Sequence, residues 1–168
     1  MVRVFVSIGS NIDKEHHVRT AVAELRRHYG DVMVSSVYES EPVGMEGENF
    51  YNLVVSFVTD QTPRAVAATL REIESQHQRD RRGARFASRT LDLDMILYGD
   101  TVLNVDGLVI PRAEATTCAY ALWPLAEIAG NVRHPVSGER FFDLWSRFDK
   151  SSQPIWPVDI TLDAGAEP

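Results

Sequence analysis

Two aspartates separated by one residue give the clearest chemical signal in the sequence. Asp92 and Asp94 alternate with apolar residues over 91–98, which is typical of a β-strand. Because successive strand side chains point to opposite faces, the two carboxylates share a face, about 7 Å apart at a rise of ~3.3 Å per residue. The buried face is expected to consist of Leu91, Leu93, Met95 and Leu97. Mg²⁺ prefers one or two such carboxylates together with phosphates and water. The alternative is a solvated strand face that binds no metal.

Arginines just before this strand give the second signal. Lys14 and Lys150 are the only lysines among 17 basic residues, and five of the arginines fall within eleven positions: Arg79, Arg81, Arg82, Arg85 and Arg89. One guanidinium group can donate two parallel hydrogen bonds to two phosphate oxygens. A loop containing Gly83 could also close over a substrate. The alternative is a solvated helix end, where arginine complements the helix dipole. Together with the aspartates, the cluster favours a site for phosphoryl chemistry.

Charge and composition exclude several classes of protein. A net charge of −7 and a pI of about 5.2 argue against a general binder of nucleic acid or anionic membranes. Cys118 is the only cysteine, so an intrachain disulfide and a cysteine-based zinc site are both excluded. The first ten residues do not resemble a signal peptide, and no apolar run is long enough to span a bilayer. We therefore expect a cytoplasmic protein. The five histidines lack metal-ligand spacing, and the adjacent His16 and His17 are expected at the surface.

The elements that must position these groups follow a β-α-β-β-α-β order. Alternating or apolar runs predict strands over 2–8, 32–38, 52–59 and 91–98. Helical spacing predicts one helix that ends at Gly30 and a second that begins at Thr62-Pro63, with Val66, Leu70, Ile73 and His77 on one face. This order is that of the ferredoxin-like α+β fold, an antiparallel sheet with helices packed on it.

The rest of the chain is expected to form loops and short helices. Residues 39–48 form a loop too long for a tight hairpin, and long loops in compact domains are often functional. Beyond Pro111 the clearest short helices are 122–129 and 141–148. We expect a single domain over 1–150 and a loosely packed C-terminal tail over 151–168.

Five segments together resemble the 6-hydroxymethyl-7,8-dihydropterin pyrophosphokinase family over roughly residues 2–148. They are Ile8-Gly9-Ser10-Asn11, Val37-Tyr38-Glu39-Ser40-Glu41-Pro42-Val43-Gly44, Phe50-Tyr51-Asn52, Arg89-Thr90-Leu91-Asp92-Leu93-Asp94 and Leu122-Trp123-Pro124-Leu125. The fourth segment is the most specific. The resemblance implies a ferredoxin-like fold and transfer of the β,γ-diphosphate of ATP to the hydroxymethyl oxygen of the pterin, with release of AMP, in folate biosynthesis.

The resemblance also implies roles for individual residues. Asp92 and Asp94 match catalytic carboxylates that hold two Mg²⁺ ions. Arg79, Arg81 and Arg89 match loop arginines that bind the ATP phosphates, Arg79 and Arg89 being expected to be catalytic. Glu74 matches a residue on the nucleotide side. We also expect Arg85 and Arg112 to contact the nucleotide. Pterin contacts are implied for Ser40, Val43, Phe50, Asn52, Phe86 and Tyr120. From the residues alone, Phe50 and Tyr120 would be assigned to core packing.

The sequence departs from the common family pattern at four places. Phe86 stands where a tryptophan is usual, and Ala87-Ser88 replaces Gly-Pro. Arg112 stands where a histidine is usual, and Cys118 where an arginine is usual. None touches the two aspartates, so we expect an active enzyme in which Arg112 supplies the charge that Cys118 does not.

Two rival functions remain open. One is a diphosphotransferase for a related pterin or purine. The other is an RNA-binding module, since ferredoxin-like sheets also bind RNA, but Arg82-Gly83-Ala84-Arg85-Phe86 does not complete the aromatic RNA-binding pattern. We expect ATP and the pterin as partners, no nucleic acid or membrane partner, and a monomer.

Overall fold

A computed structural model describes residues 1–42, 47–78 and 90–162. Its strands are β1 (Val2–Ser10), β2 (Met33–Val34), β3 (Val37–Ser40), β4 (Phe50–Thr59), β5 (Asp92–Tyr98), β6 (Leu103–Val105), β7 (Leu108–Ile110) and β8 (Ile155–Val158). Its helices are α1 (Lys14–Tyr29), α2 (Pro63–Gln78), α3 (Glu114–Thr117), α4 (Ala119–Ala129) and α5 (Phe141–Ser146), with a 3₁₀ turn at Lys150–Ser152. Within these ranges, no helix has the length and apolar character needed to cross a membrane.

The predicted ferredoxin-like order is confirmed in the main sheet. In the described part of the chain, strands lie side by side in the order β5-β1-β4-β3-β8, with β2 also paired to β4. β1 lies between β4 and β5 and is antiparallel to both. Strand β5, which carries the two aspartates, is at one edge of this order and is paired along its length with β1.

The two long helices cover one face of the sheet. Val18, Val22 and Leu25 of α1 and Leu70 and Ile73 of α2 are buried in one apolar cluster. The predicted ends are confirmed: Gly30 follows α1 with a φ of 81°, and the Thr62 hydroxyl accepts a hydrogen bond from the amide of Ala65. The later helices α4 and α5 cover the opposite face through a second apolar cluster. The sheet is thus buried on both faces.

The predicted strand over 32–38 is interrupted in the structure. Val34 pairs with Val55, whereas Tyr38 pairs with Asn52, so the register along β4 shifts by one residue between β2 and β3. The hydroxyl of Ser35 accepts a hydrogen bond from the amide of Val54 at 3.0 Å at this point. A polar side chain therefore replaces ladder hydrogen bonding where the strand bulges.

A second irregularity places Leu97 on the opposite face of the sheet from the one predicted. Phe5 pairs with Leu97 but Val6 pairs with Met95, so β5 has an extra residue opposite β1. Leu93 and Met95 pack under the long helices, whereas Leu97 joins the cluster under α4 and α5. The prediction that Leu97 shares a face with Leu91, Leu93 and Met95 is wrong because the bulge inverts the alternation.

The expectation of a loosely packed tail is also wrong for part of the C-terminal segment. Residues Ile155–Val158 pair antiparallel with β3, with Ile155 opposite Ser40. The side chain of Gln153 accepts a hydrogen bond from the amide of Ala119 at 2.8 Å and donates one to the carbonyl of Thr117 at 2.9 Å. This segment is therefore an edge strand fastened to the start of α4.

Buried histidines are a further difference from the sequence expectation. His17 of α1 and His77 of α2 are 2% and 5% exposed, and their Nδ1 atoms lie 2.6 Å apart. The Nε2 atom of His77 lies 3.7 Å from a carboxylate oxygen of Glu24. His17 was expected at the surface; in the structure it joins the two long helices through a hydrogen bond between imidazoles.

Candidate active site

Two of the predicted polar site residues, Asp92 and Asn52, belong to one row of paired residues that crosses four neighbouring strands. Gly9 of β1 pairs with Asp92 on one side and with Asn52 on the other. Asn52 in turn pairs with Tyr38 of β3. Since directly paired residues of antiparallel strands share a face, Asp92 and Asn52 lie on the same side of the sheet. A glycine between them leaves this face open, because a Cβ at Gly9 would lie 3.4 Å from the side-chain oxygen of Asn52.

A cavity of about 220 Å³ lies over this row. Its walls include six of the predicted site residues: Ser40, Phe50, Asn52, Asp92, Asp94 and Tyr120. Both aspartates therefore line one cavity together with residues predicted to bind a pterin, and the roles of all six stay predictions. We call this the acceptor cavity.

Hydrogen bonds fix the polar wall of the acceptor cavity. The side-chain amide of Asn52 donates to the hydroxyl of Ser40 at 2.9 Å, and Asn52 is only 5% exposed. Phe50 and Tyr120 are half-buried and supply aromatic surface from β4 and α4. Burial raises the pKa of the Tyr120 hydroxyl, so it is a hydrogen-bond donor rather than an anion at neutral pH. Such a cavity suits a planar heterocycle with a polar edge.

A second cavity, of about 240 Å³, lies between α2, β5 and the β6–β7 hairpin. Glu74, Asp94 and Arg112 line it, with Leu70, Leu108 and Val109 as apolar walls. Asp94 is the residue that lines both cavities. A ligand in either cavity is therefore in contact with the same carboxylate. We call this one the donor cavity.

Glu74 holds β5 between the two aspartates. Its carboxylate accepts a hydrogen bond from the amide of Leu93 at 2.7 Å. The pKa of Glu74 is raised to about 7, chiefly by burial and secondarily by the charges of Asp92 and Asp94, while this hydrogen bond and Arg71 act to lower it. Three acids, one from α2 and two from β5, thus lie close together.

Asp94 has one cationic neighbour among the residues that affect its ionisation. Burial raises the pKa of Asp94, the charge of Arg112 lowers it, and Glu114 raises it. Arg112 itself donates from Nε and Nη2 to the carboxylate of Glu114, at 3.2 and 3.0 Å. The hydrogen bonds of Arg112 therefore go to Glu114, and Arg112 acts on Asp94 through its charge alone.

The acidic cluster fits a divalent cation. Two carboxylates on one strand face, with a third acid behind them, repel one another, and a cation bound by their oxygens would remove the repulsion. The described residues contain no group of three or more histidine, cysteine or acidic side chains placed to bind a metal by themselves. Asp92 and Asp94 would therefore supply only part of a coordination shell, which is how Mg²⁺ binds beside phosphates.

Six predicted site residues lie outside the described residues: Val43, Arg79, Arg81, Arg85, Phe86 and Arg89. Their contacts with either cavity remain predictions. Conversely, the structure adds Ser7, Gly9, Glu41 and Pro42 to the acceptor cavity. Ser7 pairs with Asp94 on the neighbouring strand. The sequence feature that could have identified it is a polar residue in the middle of a mostly apolar strand.

Comparison with known proteins decides the family. The family model described as 7,8-dihydro-6-hydroxymethylpterin-pyrophosphokinase matches residues 5–130. The chain belongs to this family. A 2-amino-4-hydroxy-6-hydroxymethyldihydropteridine pyrophosphokinase of Bacillus subtilis is 35% identical over 132 residues, which cover 76% of this chain and 78% of that protein. One of Synechocystis is 33% identical over 163 residues, which cover 95% of this chain and 82% of that protein.

Solved structures of the family share the fold. The chain resembles the Plasmodium falciparum HPPK-DHPS wild-type structure with a TM-score of 0.70 at 13% identity. The match covers 87% of this chain and 44% of that one, so the chain spans less than half of the solved structure. The ferredoxin-like arrangement of this pyrophosphokinase is thereby confirmed.

Proposed function

We infer that this protein is an ATP-dependent diphosphotransferase of folate biosynthesis. It transfers the β,γ-diphosphate of ATP to the hydroxymethyl oxygen of 6-hydroxymethyl-7,8-dihydropterin and releases AMP. Family membership supports the reaction. The structural observation that carries it is the position of Asp94, which lines one cavity suited to a heterocycle and another suited to a nucleotide. The same carboxylate would therefore lie beside both the donor and the acceptor of a transferred group.

The acceptor cavity is assigned to the pterin. Asn52 and Ser40 offer amide and hydroxyl groups to the polar edge of the ring, while Phe50 and Tyr120 contact its faces. Placed there, the hydroxymethyl group reaches toward the aspartates. We assign Val43 and Phe86 to the same ligand on the resemblance alone.

The donor cavity is assigned to ATP. Leu70 and Val109 give apolar surface for the base, and Arg112 gives positive charge. The arginines Arg79, Arg81, Arg85 and Arg89 are assigned to the phosphates, because they follow α2 directly in the sequence and α2 forms one wall of the cavity. Their guanidinium groups would offset charge on the transferred diphosphate and on the departing AMP.

The chemistry requires positioning more than covalent participation by the protein. The hydroxymethyl oxygen attacks the β-phosphorus, the bond from this phosphorus to the oxygen bridging to the α-phosphate breaks, and AMP leaves with the bonding electrons. The hydroxyl proton passes to water or to a carboxylate. Asp92 and Asp94 would hold Mg²⁺, and we propose two ions. Bound Mg²⁺ would neutralise charge on the phosphates. Glu74 keeps both aspartates in register through the amide of Leu93.

We propose that the protein acts as a monomer in the cytoplasm, without nucleic acid or membrane partners. The net charge of −7 and the single cysteine support this proposal. Sedimentation at micromolar concentration tests it, and a dimer would contradict it.

Acceptor-dependent release of AMP tests the function. AMP formed from ATP is measured by chromatography with Mg²⁺ and hydroxymethyldihydropterin both present, and with either left out. We expect AMP only in the complete mixture. AMP release with a related pterin or purine but not with this acceptor would instead identify the rival diphosphotransferase, and no release with any acceptor would contradict the proposal.

A further inference from the structure

A third cavity opens beside the acceptor cavity and has a volume of about 610 Å³. Ser40, Glu41, Pro42 and Tyr120 line both cavities, so they separate two adjoining spaces. The far wall comes from the C-terminal segment, including Pro154 and Ile155. This segment lies beyond residues 5–130, the part of the chain that the family model matches. We call this space the C-terminal cavity.

The wall made by the C-terminal segment is held in place by specific contacts. Ile155 pairs with Ser40, so their side chains share the face of the sheet on which the Ser40 hydroxyl meets Asn52. Two residues before Ile155, the side chain of Gln153 forms hydrogen bonds with the backbone at Thr117 and Ala119. The cavity is therefore part of the folded structure and not a gap beside an unattached tail.

Its lining defines the chemistry of a ligand. Pro42, Pro154, Ile155 and the ring of Tyr120 provide apolar surface, and the charged side chain in the lining is the carboxylate of Glu41. No lysine or arginine of the described residues lines it, so an anionic ligand would meet repulsion without compensation. Both polar ends of the Gln153 side chain are already hydrogen-bonded. A cavity of this size and lining suits an uncharged aromatic group.

We propose that the C-terminal cavity is an accessory site for an uncharged aromatic ring, occupied at the same time as the pterin in the adjoining acceptor cavity. The proposal rests on the proposed function only for the identity of that neighbouring ligand. Tyr120 and Pro42 would then contact the pterin on one side and the ring on the other. The enzyme would accept compounds that join two ring systems across this boundary.

The only cysteine of the chain offers a way to measure occupancy. Cys118 lines the C-terminal cavity and is partly exposed. Alkylation of the intact protein by N-ethylmaleimide, followed by mass spectrometry, reports access to the cavity without any need for turnover. With indole as the probe, a concentration ten times its dissociation constant should slow alkylation about tenfold. Saturating 7,8-dihydropterin should leave this protection in place.

Two matched variants separate the C-terminal cavity from unspecific effects. Ile155→Trp places an indole ring within the lining of the cavity, where it competes with added indole, and should abolish protection by added indole. Val136→Trp places the same side chain at an exposed position, 68% accessible, that lines none of the three cavities, and should retain it. Protection that vanishes when dihydropterin is added would place the ring in the acceptor cavity and overturn the proposal. So would equal protection in both variants, or none in the unmodified protein. Failure of the proposed function would instead appear as absent AMP release with normal protection.

Discussion

Glu74 is predicted to make the free enzyme less stable as the pH rises toward 8. Its pKa is about 7 in the folded protein, raised chiefly by burial from the ordinary value of 4.5 for this side chain. A carboxyl group whose pKa is raised on folding binds its proton more tightly in the folded state. Its contribution to stability is therefore complete below pH 4.5 and is lost as the pH rises through 7.

The size of the effect follows from the shift. A rise from 4.5 to about 7 corresponds to roughly 3 kcal/mol at 1.36 kcal/mol per pH unit. Water reaches part of the side chain and screens the charge, so we expect about 1–2 kcal/mol. Glu74→Gln keeps an oxygen that can accept the hydrogen bond from Leu93 but cannot ionise. The variant should gain about that much stability relative to wild type between pH 5 and pH 8.

Urea unfolding at pH 5, 6, 7 and 8, without Mg²⁺ or ATP, measures this difference. Glu72→Gln is the control, because Glu72 is an exposed acid of the same helix. The wild-type and Glu72→Gln proteins should lose stability in parallel as the pH rises, while the Glu74→Gln curve should be flatter. Parallel curves for all three proteins would refute the assignment of Glu74 as a buried acid strained by its neighbours.

Three further predictions concern other parts of the structure. His17→Leu and His77→Leu should each cost about 1–3 kcal/mol of unfolding free energy by removing a buried hydrogen bond, and the double variant should cost less than their sum; additive costs in urea unfolding would show that the imidazoles do not interact. Asn52→Leu should raise the KM for the pterin at least tenfold and leave the KM for ATP within twofold, since Asn52 lines the acceptor cavity but not the donor cavity; equal rises in steady-state assays would argue against the assignment of the cavities. Gln153→Ala should lower the free energy of unfolding by about 1–2 kcal/mol through the loss of its hydrogen bonds to Thr117 and Ala119. An unchanged urea midpoint would mean that these bonds do not hold the C-terminal segment in place.

The sequence was sufficient for the parts of the structure that depend on strong local patterns. The alternation around Asp92 and Asp94 predicted their shared face, and both side chains line the acceptor cavity. Residues Thr62 and Gly30 marked helix ends because their side-chain and backbone chemistry suits those positions. These features were found because each is decided within a few residues.

Features that depend on contacts distant in sequence were missed. The bulge that moves Leu97 to the other face arises from pairing with β1 and leaves no mark in the local alternation. Burial of His17 depends on His77, 60 residues away. The pairing of β8 with β3 also joins distant segments. By contrast, the β6–β7 hairpin had a readable signal, because Asp106 and Gly107 have φ values of 51° and 81° and form a two-residue Asp-Gly turn.

The donor cavity shows the same limit at the site itself. The sequence placed Glu74 on the nucleotide side only through resemblance. Its carboxylate accepts a hydrogen bond from the amide of Leu93, which joins α2 to β5 although the two residues are 19 positions apart in the sequence. Leu108 and Val109 enter the cavity because the hairpin folds back toward α2. Neither contact follows from spacing or periodicity.

The most direct test of the central claim is AMP release by Asp94→Asn. Asp94 lines both cavities, and the substitution removes its charge while nearly preserving its shape. Asp100→Asn, an exposed acid just beyond the end of β5, is the matched control. With saturating ATP, Mg²⁺ and hydroxymethyldihydropterin, Asp94→Asn should lose at least about 10²–10³-fold in rate with an unchanged urea midpoint, while Asp100→Asn keeps the wild-type rate. A wild-type rate in Asp94→Asn would contradict the assignment of Asp94 to the bound metal and to diphosphate transfer.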